Sequence, residues 1–297
     1  MMMDKKLFAL SVIITALVTC AGSAGAVHYP IGGEGYKAAT LPESGLYYKI
    51  YTALYRADTL REPGTRKADG SFKSTSFMQL HRLIYGTDIE FLGGNLVMSA
   101  TLPIVYNSVS RDFGGQNLFD EKRFGLGDLI LDPAILSWHG PQFDAVAGVS
   151  MIIPAGGYRK NNPASTGQGC WSFLPTAGLT VYLDAERQWS ASLLARYEIS
   201  TRQRHSDSRP GDFALIEYGF GRTFGKYDLS LTGFSSVQVS DTKASSSGRE
   251  HRNAIGPEFG IQSEALGAYI TGKVLFDFEN RNAAEGITLM FTLTRSF

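Results

Sequence analysis

Histidine, serine and the carboxylates are the side chains that most often carry proton transfer and nucleophilic attack, and this chain arranges few of them for either. Of its five histidines, His28, His81, His139, His205 and His251, only His81 falls in a run of alternating polar and apolar residues. Beside Arg82, it could orient a serine of a neighbouring run such as Ser99; it reads equally as a lumen-lining histidine or one of an interfacial girdle. No G-x-S-x-G, H-E-x-x-H or C-x-x-C occurs, so neither a hydrolase elbow nor a metal site is visible. Asp207, Ser208 and Asp212, or Asn161 with Asn162, cluster oxygens without the spacing of an EF-hand. The expectation is no catalytic residue, no cofactor and no dedicated metal.

A second set of charges has a different character. Asp128, Asp132, Asp144, Arg196, Glu198, Glu217, Glu258, Lys273 and Asp277 each stand among apolar and aromatic residues at alternating positions. A charge facing hydrocarbon costs about 2 to 4 kcal/mol at a bilayer midplane, so on membrane strands such groups must face inward and meet water or one another. They are candidate pore-lining residues, with His81 as a further one.

The elements that must position them are strands. Period-two alternation between turn signals gives about twelve runs, near 45–56, 75–92, 95–106, 126–138, 143–155, 171–183, 188–200, 212–224, 227–239, 253–263, 267–278 and 286–297. Most are longer than the usual strand of a soluble protein and match the 9 to 11 tilted residues that cross a bilayer, with overhang. The connections alternate. Long ones at 57–74, 107–125, 155–170, 201–211, 240–252 and 279–285 enclose short ones at 93–94, 139–142, 184–187, 225–226 and 264–266. Short turns on one side and long loops on the other are the plan of a membrane barrel with an even strand count and both ends on the short-turn side.

The faces agree with that plan. Trp189, Ala191, Leu193, Ala195, Tyr197 and Ile199 alternate with Ser190, Ser192, Leu194, Arg196 and Glu198, one set suited to lipid and the other to a wet lumen. Ile270, Val274, Phe276 and Phe278 oppose Thr271, Lys273 and Asp277; Leu129, Leu131 and Ile135 oppose Asp128 and Asp132. Tyr47, Tyr48, Trp138, Trp171, Trp189 and Tyr227 near run ends suit interfacial girdles. In the last run Ile287, Leu289, Phe291, Leu293 and the terminal Phe297 share one parity, the pattern of a signal read by the barrel assembly machinery. Arg295 interrupts it near the rim, where its guanidinium can snorkel.

The ends and composition limit the rest. Lys5 and Lys6, an apolar stretch from Leu7 to Val18 and small residues ending in Ala24-Gly25-Ala26 read as a signal peptide, 1–26, cut after Ala26. About 12 apolar residues fall short of the roughly 20 a spanning helix needs. The alternative lipoprotein signal at Cys20 has Thr19 where Gly, Ala or Ser is wanted. With 28 basic and 28 acidic residues the chain is neutral and makes no case for nucleic acid. Two cysteines, Cys20 and Cys170, leave one after cleavage and therefore no intramolecular disulfide. Residues 27–44, Gly-rich with Pro30 and Pro42, form a periplasmic tether or fold up into the lumen and narrow it. Residues 45–297 are the barrel: all-β, a transmembrane antiparallel β-barrel of about twelve strands, a single domain after the signal peptide.

Three stretches, GGEGYKAATLPESGLYYKIYTALYRA from Gly32, GLGDLILDP from Gly125 and IIPAGGYRKNNPASTGQGCWSFLPTAGLTVY from Ile152, resemble the outer-membrane proteins of the "putative meta-pathway of phenol degradation" family, relatives of a sphingolipid-uptake protein. The resemblance implies a barrel tied to uptake of hydrophobic or aromatic compounds, and none of its motifs is catalytic. Three readings follow: a passive channel for such solutes in the outer membrane of a Gram-negative cell, a surface structural or adhesive barrel with a closed lumen, and an outer-membrane hydrolase. No nucleotide-binding loop and no large plug domain accompanies the barrel, so nothing supplies energy. Expected partners are outer-membrane lipids, lipopolysaccharide and the assembly machinery. The basic loops REPGTRKADG, RQRHSDSRPG and SDTKASSSGREHR either attract lipopolysaccharide or anionic solutes or serve as solvated loops that keep the mouth wet.

Overall fold

The computed structural model describes residues 27–297 apart from 245–247; the expected signal peptide lies outside the described residues. Thirteen strands follow one another along the chain: β1 (Gly45–Leu60), β2 (Ser71–Phe91), β3 (Gly94–Phe113), β4 (Gln116–Leu126), β5 (Leu129–His139), β6 (Phe143–Ile153), β7 (Ser172–Tyr182), β8 (Trp189–Ser200), β9 (Phe213–Phe224), β10 (Tyr227–Gln238), β11 (His251–Ser263), β12 (Ala268–Asp277) and β13 (Ala284–Ser296). All pairings are antiparallel, β13 pairs with β1 from Tyr47↔Ser296 to Leu60↔Ala284, and β2 pairs with β3, so the sheet closes on itself. No helix among the described residues is long and apolar enough to cross a membrane; the strands do so, with every ladder bonded inside the barrel.

The barrel has twelve staves, because β4 and β5 share one. β4 pairs with the Ile104–Phe113 half of β3 and β5 with the Asn95–Thr101 half. The break falls at Gly127 and Asp128. Pro103 opposite has no N–H to offer the ladder, although its carbonyl still accepts the Gly127 amide at 2.9 Å. Beyond the break, the free edge of β4 is covered by the 154–171 loop: Gly157 N–H and Thr166 Oγ1 donate to the Leu126 carbonyl, and Asn162 Nδ2 to Glu121.

Segment 107–125, expected as a loop, is instead the outer part of a long β3–β4 hairpin. Its polar residues suit strands that have left the membrane, and its turn is Gly114-Gly115, with φ of 60° and 79° at positions that only glycine holds without strain. A second departure lies in β5. A bulge between Leu131 and Ala134, registered against both neighbours, inserts an extra residue at Pro133. Parity inverts there, so Ile135, expected on the lipid side with Leu129, turns inward and is buried.

Elsewhere the alternation holds. Leu193, Phe220, Leu231, Phe259, Phe276 and Leu289 are about half exposed on the outer surface, an apolar belt whose alternate neighbours point inward. Trp189 stacks on Phe220 and Tyr227 on Phe259 near the short-turn rim, whereas Tyr47, expected in a girdle, points inward and lines a cavity. The interior is not simply wet: Leu174, Phe213, Leu215, Leu194, Phe234 and Leu275 point into it and are buried. They need a partner. Residues 27–44 run through the lumen and supply it, Val27, Tyr29 and Ile31 packing on Ile130, Ile152, Leu174, Phe213 and Leu215, and Ala38, Ala39 and Leu41 on Ile135, Val146 and Leu194.

Candidate functional site

A segment without regular structure inside a membrane barrel leaves main-chain N–H groups that must find acceptors. Here the wall provides them as a staircase of inward side chains. Glu198 on β8 accepts the amides of His28 and Tyr29, both at 2.9 Å. Glu217 on β9 accepts those of Gly32 at 3.1 Å and Glu34 at 2.9 Å. Glu258 on β11 accepts Tyr36 at 3.2 Å, the Ser192 hydroxyl accepts Ala38 at 3.2 Å, and Asp144 accepts the Thr40 hydroxyl at 2.9 Å. Lys273 returns the favour to two carbonyls, donating to Gly33 at 3.3 Å and Glu34 at 3.4 Å, with Glu258 3.4 Å away. The fit is close at Gly35, where a Cβ would stand 1.9 Å from a Glu258 carboxylate oxygen.

At the middle of the lumen the plug's own Glu34 meets the wall's cations. Its carboxylate accepts Lys49 at 2.9 Å, Arg82 at 2.7 Å and the Tyr51 hydroxyl at 3.1 Å. Burial by itself would raise this carboxyl; Lys49 and then Arg82 overcome it and hold it well below the usual carboxylate range. Arg82 also reaches Asp132 at 2.9 Å, and Ser99 donates to the same carboxylate. Beside this group Arg196 pairs with Glu217 at 2.7 Å and lies 4.3 Å over the Tyr29 ring.

Near the outer end, His28 fixes the tip of the plug. Its Nε2 is 2.7 Å from Asp128, its Nδ1 is 2.8 Å from Ser172 Oγ, and Asp128 also accepts the amides of Gly156 and Gln168 at 2.7 and 2.6 Å. Ser172, His28 and Asp128 are connected as nucleophile, base and acid are in a hydrolase. The Ser172 hydroxyl is nevertheless fully buried, shared with Ser200 at 2.8 Å, and lines neither large cavity.

The nine charges picked out by alternation all project inward. Asp128, Asp144, Glu198, Glu217, Glu258 and Lys273 bond the plug directly; Arg196 stacks on it and Asp132 reaches it through Arg82. Asp277 stands apart, accepting the Tyr55 hydroxyl at 2.9 Å and the Gly286 amide at 3.1 Å. His81 is a correction. It pairs with Ile50 and with exposed Leu102, so it faces outward, bonded to the Tyr48 hydroxyl at 2.6 Å. Ser99, its suggested partner, lies on the opposite face. Lys49, Arg82 and Tyr51 escaped the sequence reading although their parity was available, and Glu34 and His28 carry no periodic signal at all.

The plug divides the lumen into two cavities. The outer one, about 300 Å³, is bounded by Met78, Leu80, Val105, Phe234 and Met290 against Val27–Ile31 of the plug. The inner one, about 410 Å³, is bounded by Ile84, Ile135, Val146 and Leu194 together with Arg82 and Lys49. Between them a void of about 30 Å³, lined by Tyr29, Pro30, Glu34, Tyr51 and Arg82, marks the constriction. That space is on the scale of a water molecule.

Fold and lumen together define a twelve-stave membrane β-barrel whose bore is closed by its own N-terminal segment. The chain belongs to the family described as "Putative MetA-pathway of phenol degradation", whose model matches residues 57–293. Among solved structures it is similar to an outer membrane channel from Pseudomonas putida F1, with a TM-score of 0.73 at 15% identity over 91% of this chain and 99% of that one. It is also similar to two autotransporter barrels: the translocator domain of NalP from Neisseria meningitidis (TM-score 0.52, 11% identity, 88% and 92% covered) and the beta domain of Bordetella BrkA (0.51, 13%, 86% and 100%). These likenesses establish the fold. No curated protein matches the sequence.

Proposed function

We propose that the protein is a Gram-negative outer-membrane channel for passive uptake of small hydrophobic or aromatic compounds. The observation that carries this reading is the pair of largely apolar cavities in line on either side of the plug, each large enough for a single-ring solute and separated by a passage too small for one. The similar Pseudomonas putida barrel, itself an outer membrane channel, supports it, as does membership of the family. A solute entering the outer cavity displaces the plug at Pro30–Gly33 and leaves through the inner one, driven by its own gradient. In the same reading residues 1–26 direct export, Phe297 is the mark read by the barrel assembly machinery, and the basic outer loops face lipopolysaccharide.

The test is uptake into vesicles carrying purified protein. A monoaromatic solute should enter faster than in protein-free vesicles, and glucose of similar size should not. Equal rates for both, or none for either, favour the surface-barrel alternative, in which the plug stays shut.

A further inference from the structure

Val27, the residue directly after Ala24-Gly25-Ala26, is held on three sides. Its side chain packs in the cluster of Ile130, Ile152 and Leu174. Its carbonyl accepts Gln168 Nε2 at 3.1 Å. Its nitrogen donates to the carboxylate of Glu250. Glu250 is itself fixed at the foot of β11, its amide donating to the Gln238 side chain at 3.1 Å and its carbonyl accepting the Gln238 amide at 2.8 Å. The peptide bond that the signal pattern marks for hydrolysis is thus the one whose nitrogen already faces a carboxylate.

We propose that Glu250 is the receptor for the α-ammonium created by signal-peptide removal, so that the plug locks into the lumen only in the processed chain. Signal peptidase hydrolyses the Ala26–Val27 amide: water gives its oxygen to the Ala26 carbonyl, which leaves as a carboxylate, and the Val27 nitrogen gains protons to become an ammonium. That group brings a full positive charge and three donors where the amide had one donor and none. The carboxylate is in need of such a partner. The cation beside it, Arg252, is already engaged with Asp277 at 4.0 Å and with the Tyr55 and Phe234 rings, and Glu198 adds negative charge nearby. Burial pushes the Glu250 carboxyl up to about 7, even with Arg252 and the Val27 amide beside it. This role of Glu250 rests on 1–26 being a leader cut after Ala26, and not on the identity of any solute.

The mature protein purified from outer membranes should begin at Val27. At pH 7 its α-amine should acylate about ten-fold more slowly in the folded barrel than after unfolding, since raising an amine's pKa by one lowers the reactive free base by that factor. Glu250→Gln should bring the folded rate to within about three-fold of the unfolded one. A second variant, with Gly-Ser inserted after Ala26, keeps Glu250 but displaces the amine, and should combine fast acylation with raised single-channel conductance. Electrophoretic mobility of unheated samples reports that each variant is folded. A wild-type chain that starts elsewhere, an amine equally reactive folded and unfolded, or equal protection in wild type and Glu250→Gln would each overturn the proposal. A protected amine in a protein that transports no solute upholds it and removes the transport reading instead.

Discussion

Glu34 is where the plug and the wall are most tightly coupled. Replacing it with Gln leaves Lys49 buried without its anion and Arg82 with Asp132 alone, a change that costs about 3–5 kcal/mol where a buried pair loses one partner. The result should be a plug that leaves its seat: Glu34→Gln should raise single-channel conductance several-fold and turn selectivity toward anions. Acid should not reproduce the effect. A carboxyl whose folded pKa is depressed contributes stability that is present above its unfolded value, about 4.3, and is lost only as pH falls through the depressed folded value. Lys49 and Arg82 set that value well below the usual range, so the Glu34 anchor stays ionised between about pH 7 and about pH 4.5 and Glu34→Gln should raise conductance over wild type at both ends of that interval. Equal conductance of Glu34→Gln and wild type at pH 7 would mean that Glu34 is not the anchor. None of this was legible beforehand, because Glu34 lies in a stretch with no period and its role depends on Lys49 and Arg82, distant in the chain. The inward carboxylates were legible, each being a charge among alternating apolar residues. Their purpose was not, since alternation says which way a side chain points and nothing about what it meets there.

At the level of strands, the two faces carry different tolerances. Leu193 sits in the outer belt and Thr271 on the wall of the inner cavity. Leu193→Lys should cost about 2–4 kcal/mol in bilayer unfolding titrations, while Thr271→Lys should change stability by less than about 1 kcal/mol. Equal losses would contradict the assignment of faces. Strand positions and faces were readable wherever period two ran unbroken, as in β8. They failed at Ile135 because a bulge at Pro133 inverts parity without altering composition. They failed again over 107–125, because strands above the membrane lose the apolar face that marks them. His81 was misplaced for a related reason: an isolated polar residue on the outside, bonded to Tyr48 through one ring nitrogen, looks the same in sequence as one on the inside.

For the molecule as a whole, closure of the sheet and closure of the bore are separate matters. The ladders that seal β13 to β1 and β2 to β3 do not involve residues 27–44, so the barrel should persist without them. Deleting 27–40 should leave a heat-modifiable barrel whose conductance rises several-fold, because a bore of twelve staves is wide enough to hold water once unfilled. A deletion variant that conducts like the wild type would show that something other than the plug limits flow.

The wall grips the plug by its main chain at the amides of His28, Tyr29, Gly32, Glu34, Tyr36 and Ala38, and by the side chains of His28, Glu34 and Thr40. Ile31 makes only apolar contacts, with the clusters around Ile130 and Phe234, so exchanging it for another apolar residue alters the outer chamber's lining while leaving the polar anchors in place. Such a barrel can drift from one cargo to another by changes at the plug positions that carry no polar anchor, with His28, Glu34 and Gly35 held fixed, and a laboratory library over those few positions offers the same route to new selectivity.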